Sequence, residues 1–313
     1  MQFPFTLKKD TEFDAVGFGT NAVDFLIQVP HYPEFNSKIE LSDYVEAAGG
    51  EVATSMVGLQ RLGLRTSYIG RFGNDHAGEI GIESLRREGV DTQYAEVIDG
   101  ARTQIAFIII DERNGERTVI WQRDKKLHYP PDEAPLNAVG NTKVLHFTPH
   151  DARACIRLAE AARERGTILS IDVDNIFEDI EKLLGLVDVI IASADFPAKL
   201  FGTKSDERTA LRDLQQRFGA GVVGMTLGER GSILLCGAEF IETPGFEVPG
   251  GCKDTTGAGD SFRVGLLYGL LKGESIQESA RIANAVAALK CRAIGARTAL
   301  PRPDEVDSLL KKV

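Results

Sequence analysis

The sequence predicts an α/β fold: a three-layer sandwich with helices on both faces of a mainly parallel sheet, and a small second sheet standing off it. Three observations carry this expectation. Strand-like and helix-like apolar patterns alternate along most of the 313 residues, as in repeated βαβ units. Two extended segments, approximately 25–48 and 104–123, break the alternation. Three small residues, Gly257, Ala258 and Gly259, directly precede a long apolar helical run.

Taken in order, Phe13 to Phe18 reads as the first strand. Val52, Ala53, Met56, Val57, Leu59 and Leu62 recur at helical spacing with Gly63 as the stop, and a strand follows around residues 67–70. Further strands are expected at 144–147, 168–172, 187–191 and 221–226, separated by helices such as 152–165, closed by Gly166, and 207–218. Two helices follow the small-residue turn. In the first extended segment Pro30 and Pro33 interrupt strand-like stretches, and in the second Asn114-Gly115 lies between apolar runs, a strong hairpin signal. No composition break separates a second domain, so residues 1–313 are expected to form one domain with the two segments inserted.

A hydrophobic fraction of 43% and a charged fraction of 26% are those of a globular protein. The net charge of −10 argues against broad nucleic-acid or membrane-surface binding, while leaving room for a local basic pocket. Residues 1–10 lack the apolar core of a signal peptide, and the most apolar stretch, 183–192, is too short to span a bilayer and contains Asp188. A cytoplasmic location is the resulting expectation. Cys155, Cys236, Cys252 and Cys291 form no C-x-x-C pair and read as reduced thiols, and the five histidines show no metal-ligand spacing.

The chemistry concentrates in Asp254 to Phe262. Gly257 to Gly259 would sit at a helix N-terminus, where unpaired backbone N–H groups and the macrodipole attract anions and no bulky side chain blocks a phosphate. Asp260, in the first helical turn, would stand beside that phosphate and accept the proton of an attacking hydroxyl. The plainer alternative is an Asp that only complements the helix dipole.

Asp254-Thr255-Thr256-Gly257-Ala258-Gly259-Asp260 resembles the C-terminal signature of the ribokinase-like (PfkB) carbohydrate kinases. Further segments resemble that family in its own order: Val16 to Asp24, Gly49-Gly50 through Gly78, and Thr226 to Gly231. The resemblance implies a ribokinase-like sandwich whose small sheet is a lid over a sugar site, and a kinase using ATP and Mg²⁺. It implies Asp260 as base, the Gly257-Ala258-Gly259 turn as the charge-stabilising element, and Asp24, Gly49 and Gly50 as sugar ligands. Thr54 stands where many relatives carry an Asn that contacts the sugar. On the nucleotide side it implies Ser193, Thr226, Gly228, Gly231 and Asn284, with ordinary strand-end or helix-face roles as the alternative. Ser193-Ala194-Asp195-Phe196 replaces the Asn-x-x-Glu pattern that organises magnesium-bound water in relatives, so Asp195 or the ATP phosphates would take over that work. Asp254 and Thr256 resemble residues beside a monovalent-cation loop, implying K⁺ there.

Ser193-x-Asp195 and Gly115-Glu116-Arg117-Thr118 resemble ketohexokinases, and Ala287 to Cys291 resembles sulfofructose kinases. A small sugar, a ketohexose first, is therefore the expected acceptor of the γ-phosphate at a primary hydroxyl. A sulfonated or phosphorylated sugar, a nucleoside, or a non-catalytic nucleotide-binding regulator are the alternatives. A dinucleotide-dependent oxidoreductase is disfavoured, because no G-x-G-x-x-G follows the first strand. Arg123 and Arg297 read as solvated surface cations, with contact to a substrate anion as the other reading. Homodimerisation through the lid is a further family-implied expectation.

Overall fold

A computed structural model describes residues 1–312. The chain begins β1 (Phe13–Phe18), β2 (Ala22–Val29), β3 (Asp43–Gly49), α1 (Glu51–Arg61), β4 (Thr66–Gly73), α2 (His76–Arg87) and β5 (Ala95–Ile98). It continues through β6 (Ile105–Asp111), β7 (Arg117–Gln122), β8 (Thr142–Phe147), α3 (Ala152–Arg163), β9 (Ile168–Val173), α4 (Ile180–Leu184), β10 (Val189–Ser193) and α5 (Phe196–Phe201). The remainder is α6 (Glu207–Phe218), β11 (Val222–Thr226), β12 (Ser232–Cys236), β13 (Glu239–Thr243), α7 (Ala258–Lys272), α8 (Ile276–Lys290) and α9 (Pro303–Leu310).

Nine strands form one sheet in the order β13-β12-β11-β10-β9-β8-β1-β4-β5. Its pairs are parallel from β11 through β5, while β12 and β13 add antiparallel strands at one edge. Strands covered on both faces need no polar alternation, and every residue of β1 is buried accordingly. The two faces carry separate cores. On β10, Val189 and Ile191 pack with residues of α1, α7 and α8, whereas Ile190 and Ala192 pack with residues of α3 and α6. Phe262, Val264, Leu266, Leu267 and Leu270 anchor α7 in the first core. At about 1.5–3 kcal/mol per buried apolar side chain, they hold the turn before α7 against the sheet.

β3, β2, β6 and β7 form a second sheet in that order, built from the two segments that break the βαβ rhythm. Its period-two faces differ. Leu26, Ala106 and Ile108 pack inward in a small cluster of their own, whereas Phe25 stacks on Phe107 at 5.1 Å and on Tyr44 at 6.2 Å on the other face. Phe107 pairs with Ile120 of β7 across that same face.

The Asn114-Gly115 hairpin is present but is not a two-residue turn. β6 ends at Asp111 and β7 starts at Arg117, because the Asp111 carboxylate is held by Arg113 and its backbone N–H reaches Glu116 O at 2.9 Å. The strand expected at 187–191 runs Val189–Ser193 instead, since the Asp188 carboxylate accepts from Leu169 N at 2.8 Å and so belongs to the entry turn. Sequence periodicity did not anticipate β5, β12, β13, α2, α4, α5 or α9. Among the described residues no helix is long and apolar enough to cross a membrane.

Candidate active site

Ligands of open α/β sheets bind beyond the carboxyl ends of the strands, and there the two sheets enclose a cavity of about 1000 Å³. Ser193 at the end of β10 and Thr226 at the end of β11 line it, together with Asp24 from the small sheet and Gly257 to Asp260 from the turn before α7. One space therefore connects most of the sequence-derived candidates.

The glycine turn before α7 is built by backbone conformation. Gly257 caps α7 with φ 76°, in the left-handed region, and a Cβ there would lie 2.9 Å from the Cβ of Ala296. Only glycine meets both conditions cheaply. The first N–H groups of α7 then open onto the cavity, with Ala258 and Gly259 among its lining residues. The buried hydroxyl of Thr256 has no hydrogen-bond partner.

Asp260 stands in the first turn of α7 within hydrogen-bonding reach of Asp172. Burial, and after it the Glu51 carboxylate, push its pKa up to about 7. Asp172 is raised to about 7 by burial, opposed by Arg263, whose Nη2 lies 2.5 Å away. Glu51, directly after the Gly49-Gly50 pair, is raised to about 8 by burial and then by Asp172 and Asp174. A carboxylate poised near neutrality is suited to accept a proton from an alcohol.

Asp24 is buried, lines the cavity and has a pKa raised to about 7, by burial first and against the pull of Arg297. Gly49 lies against it: a Cβ at that position would fall 1.9 Å from Asp24 Oδ2. Gly50 caps α1 with φ 89° and faces the same space. Thr54 does not. It is fully buried, and its Oγ1 accepts from Arg297 Nε at 3.3 Å, so its place is behind the cavity wall.

Arg297 corrects the expectation of a solvated cation. It is 6% exposed, donates to Ser84 Oγ at 3.1 Å and to the Gly49 carbonyl, and desolvation lowers its pKa to about 10. Arg123 is likewise engaged, clamping Asp151 through Nη1 and Nη2 at 3.0 and 2.6 Å. Neither guanidinium is free to meet a substrate anion.

At the other end of the cavity, Thr226, Gly228, Gly231 and Asn284 are wall residues. The Asn284 amide is occupied, donating to Ser232 Oγ at 3.1 Å and Thr243 O at 3.2 Å, so it braces the wall. Ser193 Oγ donates to Asp195 Oδ1 at 2.7 Å, and Asp195 pairs with Lys199 at 2.8 Å. Asp195 is therefore engaged outside the cavity, whereas Asp172 and Asp174 line it. Asp254 turns away from the cavity: it is fully buried and accepts from Thr256 N at 2.7 Å and Gly295 N at 2.8 Å.

Sequence reasoning passed over Glu51, His150, Asp172, Asp174 and Arg263, all of which line the cavity. A signal existed for some of them: Asp172-Val173-Asp174 closes an apolar strand, and Glu51 directly follows two glycines. His150 arrives from the loop after β8; its buried Nδ1 lacks a hydrogen-bond partner and lies 3.8 Å from Glu51 Oε2. Gln104 Oε1 and Arg263 Nε are two further unsatisfied polar atoms on residues of this wall. Such orphaned groups are costly in an empty site and are satisfied by a polar ligand.

A model of the pfkB family carbohydrate kinases matches residues 16–303. The chain is 27% identical over 297 residues to a nucleoside kinase of Methanothermobacter thermautotrophicus, covering 93% of this chain and 94% of that protein. It is 30% identical over 325 residues to a protein of Arabidopsis thaliana named "Probable fructokinase-4", covering 95% and 96%. The structure of Arabidopsis thaliana ribokinase complexed with ribose and ATP superposes with a TM-score of 0.81 at 24% identity, over 96% of this chain and 99% of that one. The chain belongs to the pfkB family of carbohydrate kinases, and is a sugar or nucleoside kinase, a phosphotransferase acting on an alcohol group.

Proposed function

We propose that this kinase transfers the γ-phosphate of ATP to a primary hydroxyl of a small uncharged sugar, with a ketohexose favoured. The observation that carries the reading is the single cavity in which Asp24 and the anion turn line the same space as Asp260. Asp24 accepts from sugar hydroxyls, the recognition a carboxylate does well, with Gly49 and Gly50 letting the backbone approach. Asp260 takes the proton of the attacking hydroxyl. The N–H groups of the Gly257 to Gly259 turn meet the charge that develops on the transferring phosphoryl group. Thr226, Gly228 and Gly231 flank the nucleotide, with Ser193 beside them.

When bound with ATP, Mg²⁺ would neutralise phosphate charge, and Asp174, which lines the cavity and pairs with no base among the described residues, would hold the hydrated cation there. Arg117 of β7 lines the cavity wall and pairs with no carboxylate among the described residues; its Nη1 donates to Thr255 Oγ1 at 2.9 Å beside the turn before α7. The small sheet thus acts as a lid that delivers a cation to the phosphate end. The acceptor end carries Asp24 and Glu51, while Arg123 and Arg297 are consumed by internal partners. With both guanidiniums committed, that end offers an anionic substituent no unpaired cation among the described residues, which favours a neutral acceptor over a phosphorylated or sulfonated one. Two copies associate through the outer aromatic face of the lid.

The test is ADP formation with a panel of ketoses, aldoses, sugar phosphates, sulfosugars and nucleosides. Turnover with a neutral hexose is the expected result, and strict preference for an anionic sugar would overturn the acceptor assignment. Absence of turnover with every acceptor would favour a nucleotide-binding regulator. Asp260→Asn should lower turnover about 10²–10⁴-fold while ATP binding, followed by calorimetry, is retained. Near-wild-type turnover in that variant would remove Asp260 as the base.

A further inference from the structure

Behind the anion turn lies a buried cation that the proposed chemistry does not use. Lys290, the last residue of α8, is fully buried. Its Nζ donates to the Asp254 carbonyl at 2.7 Å and lies 3.7 Å from Asp254 Oδ2. An ammonium ordinarily stays in water, because burial is costly unless an opposite charge and hydrogen bonds compensate it. Here both compensations come from one residue of the signature turn.

The same Asp254 fixes the loops on either side. Its Oδ1 accepts from Thr256 N, its Oδ2 accepts from Gly295 N, and Lys253 N donates to Cys291 O at 2.9 Å. Gly257, the cap of the anion turn, follows within three residues and packs on Ala296. The Lys290 charge is thus wired through Asp254 to the turn that would hold the phosphate.

The residues present do not fit an added monovalent cation at Asp254 and Thr256. Such an ion needs several oxygens around it, and the carbonyl and carboxylate of Asp254 already face an ammonium. A second positive charge there would be repelled by the first. We infer that Lys290 is a tethered substitute for a monovalent cation, a positioning residue that keeps the Asp254 to Gly259 turn in its phosphate-binding shape, so that the enzyme needs no K⁺.

The inference rests on the kinase reading only for its turnover arm, and a second arm needs no acceptor. Wild-type turnover measured in Na⁺ and in K⁺ at equal ionic strength should differ less than twofold, and wild-type thermal midpoints should be indifferent to which of the two salts is present. Lys290→Ala should lose at least tenfold in kcat with a smaller change in the acceptor KM. K⁺ or NH₄⁺ should recover much of that loss, while the bulky tetramethylammonium ion should not. The ligand-free variant should melt higher in KCl than in NaCl. Lys290→Met, which preserves the apolar stem, should show the loss without the rescue, since no space opens for an ion.

Tenfold or greater activation of the wild type by K⁺ would overturn the inference, as would a Lys290→Ala protein that no cation rescues in either assay. If the alanine variant does not fold, the wild-type arm and the methionine variant decide. If no acceptor supports turnover at all, the kinase reading fails, while the melting comparison still judges Lys290.

Discussion

At the scale of single residues, the site is governed by carboxylates brought closer together than water would allow them to stay ionised. Asp260, Asp172 and Glu51 have their pKa values raised to about 7, 7 and 8, burial being the largest cause for each. A base works in its ionised form, so turnover should fall as the pH drops below about 7, approaching tenfold per unit on the acid side for a single ionisation. Glu51 is the largest like-charge contribution to Asp260. Glu51→Gln removes that charge, lowers the Asp260 pKa and should move the acid limb of kcat/KM to lower pH. An unmoved limb, or one displaced upward, would mean that Asp260 does not titrate in the rate profile. Arg297 shows how far a residue's role can depart from its local sequence. Nothing in Gly295-Ala296-Arg297 marks it for burial, yet it joins Thr54, Ser84 and Gly49 from elements far apart in the chain.

Among the elements, the four-stranded sheet carries the most consequence, because its two faces have opposite tasks. Asp24, Ala106, Ile108, Val119 and Trp121 face the cavity. Trp121 is the chain's single tryptophan and is 52% exposed, with its ring 5.8 Å from that of His150 across the wall. A sugar bound between Asp24 and the lid would bury the indole, so acceptor addition should shift its emission to shorter wavelength and saturate at the acceptor's dissociation constant. Emission that stays unchanged while calorimetry reports binding would place the acceptor away from the lid. The hairpin signal at Asn114-Gly115 located β6 and β7 from sequence, but not the parallel pairing of β2 with β6. That pairing joins two segments separated by α1, β4, α2 and β5, and no local pattern encodes it.

For the whole molecule, the outer face of the small sheet exposes Phe107 at 43% and Ile120 at 56%, beside Phe25 and Tyr44. The proposed pairing of two copies would cover this exposed apolar surface. Sedimentation should find a dimer that Phe107→Glu converts to monomer, and a wild-type protein that sediments as a monomer at micromolar concentration would sink the pairing. The sequence by itself determined the alternation that makes a parallel sheet, the positions of most of its strands, and the turn from Asp254 to Asp260. These are local: apolar period, glycine conformation and helix-start chemistry are written in consecutive residues. The reaction class was legible only through the resemblance of that turn and three further segments to the family's signatures, because the glycine turn alone also reads as a helix start whose Asp complements the dipole. Tertiary structure alone decided which charges remain free. It spent Arg123 on Asp151 and Arg297 on the loop behind Asp24, left Arg117 facing the cavity, and buried Lys290 against Asp254. Those outcomes depend on which distant segments the two sheets bring within a few ångströms, where desolvation and charge pairing decide a side chain's role and no spacing along the chain can.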